Sequence, residues 1–189
     1  MNTTWTTTVD ASLRKLNAFH LRDSVMVQKS AATVFNFILN DLATYYADIA
    51  KGHKIFKVIG SDKIAEGASI ECKETVKNVE VHHRYEVKNI IPNKRIHYCT
   101  LLPSNPTRAY IQLMGKTIEG ESSTYVFYDL EEIAPEETQL TLSIVIQMPN
   151  FFFNLTGILT GQEELWGDHL SEELYGLRNV IEDKDIHKG

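Results

Sequence analysis

His169 and Glu173 stand four residues apart near the end of the chain. On a helix, which turns by about 100° per residue, that spacing puts both on one face. Projecting Leu165 to Ile181 in this way gathers Trp166, Leu170, Leu174, Leu177, Val180 and Ile181 into a single arc. Glu164, Gly167, Asp168, Ser171, Glu172, Tyr175, Arg178 and Glu182 take the other side. His169 and Glu173 fall inside the apolar arc, beside Trp166 and Val180. A solvated His/Glu pair at this spacing is worth only a few tenths of a kcal/mol, roughly. An ionised carboxylate on a buried face instead costs about several kcal/mol unless a cation or a metal compensates it. The pair therefore needs a partner inside the protein.

A second acid points the same way. Along an extended run from Ala68 to Lys77, alternation puts Ile70, Cys72, Glu74 and Val76 on the apolar face, unless a bulge turns Glu74 outward. On the next run Val79, Val81, His83, Tyr85 and Val87 share a face opposite His82, Arg84, Glu86 and Lys88, so His83 joins the candidates. His53 lies between a helix and a strand. Its parity stays open because Lys57 and Ile59 share it, and capping a helix end is its alternative role. Tyr45 and Tyr46 read as core packing, with Tyr45 also a candidate ligand contact, and Trp166 reads as a wall. Gly176 projects close to His169, which either opens room for a ligand or allows close packing. Imidazoles and carboxylates converging on one interior form a donor set for Zn²⁺, with Fe²⁺ or Mn²⁺ also compatible.

The elements that must position these groups follow from pattern. Leu21–Gln28 reads as a strand, and Ser30 caps a helix that turns Val34, Phe35, Ile38 and Leu39 inward. Asp41 starts a second short helix with Leu42, Tyr45, Tyr46 and Ile49, which Gly52 ends. Strands are expected at 53–59, 68–77, 79–91, 94–102, 123–132 and 138–148, with turn residues between them and Pro135 joining the last two. Residues 103–121 read as a loop with a short strand near 109–114. Asn150–Leu159 is either a lead-in turn or a separate helical piece. Thr160 and Glu163 form a capping box for the terminal helix.

Composition narrows the function classes. The 189 residues are 43% hydrophobic and 23% charged, ordinary for a globular domain. A formal charge of -6 without a long Lys/Arg run argues against nucleic acid as partner. No apolar stretch is long enough for membrane insertion. The polar, Thr-rich start lacks the basic and apolar regions of a signal peptide, and Cys72 and Cys99 lack metal-ligand spacing. The expected setting is therefore cytoplasmic. There is no internal repeat.

A strand, two short helices, about six antiparallel strands and a long closing helix make an α+β order. It resembles the helix-grip fold of Bet v 1 allergens, START lipid-binding domains and polyketide cyclases, over roughly residues 20 to 183. The resemblance implies a single domain over 1–189, with 1–19 an extension or extra helix, and a curved sheet gripping the terminal helix around a cavity. The segments YYADIAKGHKIF (Tyr45–Phe56), EGASIECKE (Glu66–Glu74) and WGDHLSEELYGL (Trp166–Leu177) further resemble the diacetylphloroglucinol hydrolase and phloretin hydrolase family. That resemblance implies zinc held by His53, Glu74, His169 and Glu173, and hydrolysis of the carbon–carbon bond between an acyl group and a phenolic ring. It assigns pocket tyrosines to Tyr45 and Tyr128, with a proton shuttled by His83 or a ligand-set Glu. The chain is shorter than those hydrolases, and Phe56 stands where a polar pocket residue is expected. Four protein ligands leave little room for water. The expected ligand is small, hydrophobic or phenolic, and a homodimer is compatible. The alternatives are a carrier of the START/Bet v 1 type and a metal-free cyclase using the same acids.

Overall fold

The computed structural model describes residues 18–76, 79–100, 107–113, 116–149, 151–159 and 161–183. Alternation begins at once: β1 (Ala18–Val27) turns Phe19, Leu21, Val25 and Val27 inward. Ala18 and Phe19, expected in the N-terminal extension, belong to this strand because pairing with β8 already starts at Ala18↔Gln147. Ser30 then caps α1 (Ala31–Asn40), its side chain accepting from the Thr33 N–H at 3.3 Å. Phe37 is buried there, while Leu39, expected inward, is half-buried. α2 (Leu42–Ile49) follows, burying Leu42, Tyr46 and Ile49. Asp41 occupies its N-cap position, with no side-chain capping bond to the helix.

Gly52 does not end α2, which stops at Ile49 before an extended Ala50. It sits instead at φ 104, and a side chain there would run into the Thr75 carbonyl. Its own carbonyl accepts the Thr75 N–H at 2.9 Å. This close approach sets the start of β2 (His53–Ile59) against β3 (Ser69–Val76), pairing His53 with Glu74.

The remaining strands are β4 (Val79–Ile91), β5 (Arg95–Thr100), β6 (Thr107–Leu113), β7 (Lys116–Ala134) and β8 (Glu137–Gln147). All pairings are antiparallel, in the order β1-β8-β7-β5-β4-β3-β2, with β6 paired to β7 off that path. Within the stretch expected to be mostly loop, β7 begins at Lys116, and its first part pairs with β6 from Thr107↔Ser122 to Leu113↔Lys116.

After β8 come α3 (Phe151–Leu159), so that stretch is a separate helix, and the long α4 (Gln162–Asp183). The Thr160–Glu163 capping box and residues 1–17 lie outside what is described. α4 buries Leu170, Leu174, Leu177 and Ile181, with Trp166 and Val180 packed at the margin, as its projection required. Polar contacts fix its height and rotation. Ser171 Oγ donates to Asp23 at 2.7 Å, Glu182 accepts the Gln28 N–H at 2.7 Å, and Glu172 accepts the Lys51 N–H at 3.0 Å. Gly176 resolves in favour of packing: a methyl group there would collide with the Ile49 carbonyl of α2. The core between sheet and α4 includes Val27, Ile38, Leu42, Ile70, Ile96, Tyr128, Leu140 and Leu142. No helix among the described residues is long and apolar enough to cross a membrane.

Candidate metal centre

β3 contains no irregularity, so its alternation holds and Ile70, Cys72, Glu74 and Val76 are all buried. The bulge lies across from it. Pairing skips between His53 and Ile55, leaving Lys54 and Ile55 exposed between two inward residues, His53 and Phe56. An unbroken strand would have put those two side chains on opposite faces. The bulge is what delivers the His53 imidazole to the interior, and the sequence pattern could not reveal it.

His53, Glu74 and His169 thus come together from β2, β3 and α4. Each offers a donor atom, and the three donors lie within 4.8 Å of one another. His169 Nε2 is 3.3 Å from Glu74 Oε2, and His53 Nε2 is 3.6 Å from the same oxygen. The other ring nitrogen of His53 donates to the Tyr46 carbonyl at 3.0 Å. That bond places the proton on Nδ1 and leaves the Nε2 lone pair facing inward. Nε2 is buried and has no hydrogen-bond partner among the described residues. An orphaned buried imidazole nitrogen beside a carboxylate and a second imidazole fits a borderline cation such as Zn²⁺.

Glu173 lies one turn along from His169 and is buried beside this trio rather than within it. Its Oε1 accepts the Tyr128 hydroxyl at 3.0 Å, and the Tyr98 hydroxyl donates to that of Tyr128 at 3.4 Å. Three converging donors with the fourth acid held on tyrosine is a more open arrangement than four ligands. His83 is buried on β4 opposite Cys72, its ring 5.3 Å from Tyr85, and burial pushes its pKa down to about 4. It is neutral at pH 7 and outside the trio. Its neighbour His82 faces out, 3.0 Å from Glu71.

Tyr45 is half-buried with its ring 5.7 Å from Phe37; the tyrosine brought to the acid is Tyr46. The Tyr46 hydroxyl donates to Glu74 Oε2 at 3.0 Å and lies 3.0 Å from Cys72 Sγ. Its ring stacks on His53 with centroids 3.9 Å apart and planes 9° from parallel. Leu42, Tyr45, Tyr46 and Ile49 form an i, i+3, i+4, i+7 stripe, so spacing alone does not choose between the two tyrosines, and packing buries Tyr46. Trp166 stands edge-on to His169 at 6.2 Å, and Phe56 and Tyr98 line the interior nearby, 6.4 Å apart.

The two acids are driven in opposite directions. Burial pushes the Glu74 carboxyl up, but the hydrogen bond and the charge of His169, followed by His53, outweigh it, so the net shift is downward. Burial raises Glu173, and the Glu74 charge adds to that rise against the pull of both histidines. One acid held below and its neighbour held above the ordinary carboxylate range is the division that acid–base chemistry uses.

No family model and no curated protein matches the sequence. Solved structures do. The ZhuI aromatase/cyclase from Streptomyces sp. R1128 aligns over 91% of this chain and 98% of its own, with a TM-score of 0.60 and 14% identity. A START superfamily protein from Mycobacterium smegmatis aligns over 87% and 98%, with a TM-score of 0.61 and 12% identity. This is the helix-grip fold. Truncated norcoclaurine synthase from Thalictrum flavum is a further example, at a TM-score of 0.57 and 10% identity over 87% of this chain and 93% of that one. At such identities the likeness fixes the architecture and leaves the chemistry to the residues. In this helix-grip chain the candidates are His53, Glu74 and His169, with Glu173, Tyr46 and Tyr128 around them.

Proposed function

We propose that the protein is a metal-dependent hydrolase that cleaves the carbon–carbon bond joining an acyl group to a phenolic ring or a related small ketone. One observation carries this reading: His53 Nε2 is buried without a hydrogen-bond partner among the described residues, its Nδ1–H committed to the Tyr46 carbonyl, beside a carboxylate and a second imidazole. His53, Glu74 and His169 would hold the ion. A bound Zn²⁺ supplies polarisation of a ketone oxygen and a water of lowered pKa. The chain's own residues divide the rest. Glu74, ionised, balances the cationic charge. Glu173, whose pKa burial raises, would give a proton to the ring carbon that receives the electron pair when the acyl bond breaks. Water adds across that bond, so the products are a carboxylic acid and the deacylated phenol. Tyr128, backed by Tyr98, holds the Glu173 carboxyl in place. Phe56, Trp166 and Tyr98 suit a flat aromatic substrate.

A second reading, a metal-free cyclase or a carrier of hydrophobic ligands, is favoured by the solved neighbours, which include an aromatase/cyclase and a START superfamily protein. Here Glu173 and His169 act as acid and base, or the interior holds its ligand unchanged. Metal analysis of protein purified without a metal-affinity tag separates the two. The hydrolase reading expects about one zinc per chain, lost in His169→Ala and Glu74→Ala, and chelator-sensitive cleavage of acylphloroglucinols. Metal-free protein that gains no activity with zinc supports the second reading.

A further inference from the structure

Tyr46 touches the candidate centre in three independent ways. Its hydroxyl donates to Glu74 Oε2 at 3.0 Å. Its carbonyl accepts the His53 Nδ1–H at 3.0 Å. Its ring lies flat on the His53 imidazole at 3.9 Å. One residue therefore aims the carboxylate, selects the imidazole tautomer and fixes the imidazole plane. We infer that Tyr46 is the positioning residue of the centre, holding two of its three donors, on β2 and β3, from a single point on α2.

The surroundings explain how one side chain can do this. Tyr46 is 4% exposed, and its ring is wedged between His53 and Phe56, the latter at 5.1 Å. Because the hydroxyl spends its proton on Glu74, the Cys72 thiol 3.0 Å away is left to donate to the hydroxyl oxygen, completing a chain from Cys72 through Tyr46 to Glu74. The α2 backbone is held from below by α4: only a glycine at 176 lets the Ile49 carbonyl approach so closely. α4 also carries His169, so the third donor and the clamp on the first two share one support. Donors held by oriented neighbours bind metal more tightly than loose ones, and losing such a neighbour typically costs about 10–100-fold in affinity.

This inference rests on the metal reading above, and the test separates the two. Zinc affinity is measured by competition with a chromophoric chelator in wild type, Tyr46→Phe and Cys72→Ala, with imidazole ¹⁵N NMR on the metal-free proteins. Tyr46→Phe keeps ring and carbonyl but loses the hydroxyl. It is expected to bind zinc about 10–100-fold more weakly while His53 stays Nδ1-protonated. Cys72→Ala, which leaves Glu74 its donor, is expected to stay within about threefold of wild type, since only the hydroxyl's own donor is lost. Tyr46→Leu removes the stack as well, and the His53 Nδ1–H signal should broaden through exchange. Wild-type zinc affinity in Tyr46→Phe overturns the positioning role. So does a His53 that is Nε2-protonated in metal-free wild type, whatever zinc does. A wild type that binds no zinc defeats the hydrolase reading alone, and the NMR of wild type and Tyr46→Leu then decides the role of Tyr46.

Discussion

Gly176→Ala is the sharpest probe of how this fold holds its centre. In an unconstrained helix the substitution would stabilise by about 1 kcal/mol, because alanine is the better helix former. Here the added methyl would meet the Ile49 carbonyl and carbon, backbone atoms that cannot rotate away as a side chain would. Overpacking of a tight contact typically costs about 1–3 kcal/mol, and a backbone obstacle belongs at the upper end. The net expectation is a loss of about 1–2 kcal/mol, since the propensity gain offsets only part of the clash. Gly167 supplies the internal control. It lies on the same helix, and a Cβ there meets nothing within 4 Å, so Gly167→Ala should gain up to about 1 kcal/mol. Urea denaturation at pH 7 reads both, and the two variants should move in opposite directions. Because Ile49 moves with Tyr46, Gly176→Ala should also weaken zinc binding, whereas Gly167→Ala should not. Equal stabilisation by both alanines would refute the close approach of α2 to α4.

Other expectations follow from single contacts. Gly52→Ala should cost about 2 kcal/mol or more by urea denaturation, combining a φ of 104 with collision against the Thr75 carbonyl. Leu174→Ala removes a fully buried side chain from the α4 face and should cost about 2–5 kcal/mol, read the same way. Acid should weaken the fold through His97, on the opposite face of the sheet, where burial, with Arg95 and Lys88 adding to it, pushes the pKa down to about 4. A histidine depressed in the folded state contributes full stability above its unfolded pKa of about 6.5 and loses it as pH falls towards 4. Discounted for its partial exposure, the loss at pH 5 should be about 1 kcal/mol, and His97→Gln should flatten that part of the pH–stability curve. Tyr128→Phe removes the hydroxyl donor to Glu173 and should lower turnover about 10-fold or more, with zinc content unchanged, in a cleavage assay with metal analysis.

Much of the architecture was legible because burial imposes periods. The apolar arc of α4 and the alternation of β3 are each set by one buried face, so reading Leu170, Leu174, Leu177 or Ile70, Cys72, Glu74 from spacing succeeds. Three features escaped for physical reasons. His53 is turned inward by a bulge in β2, and a bulge changes parity without changing composition. Phe37 and Leu39 lie at the edges of the α1 face, where tertiary packing decides which is covered. The β6–β7 pair is built from a polar, glycine-containing stretch, so strand pairing there had no strong pattern to announce it. Tyr45 and Tyr46 share the apolar stripe with Leu42 and Ile49, so only packing, which buries Tyr46 and half-buries Tyr45, tells them apart. The Tyr128–Glu173 bond was beyond sequence reasoning, since it depends on the reach of Tyr128 from β7.

Anomalous diffraction at the zinc edge, on crystals grown from protein supplied with one equivalent of zinc, tests the central claim most directly. The account expects one peak about 2.0–2.2 Å from His53 Nε2, His169 Nε2 and a Glu74 oxygen, at ordinary zinc–nitrogen and zinc–oxygen distances. A peak elsewhere, or an empty interior with His53 Nε2 bonded to water, would contradict it.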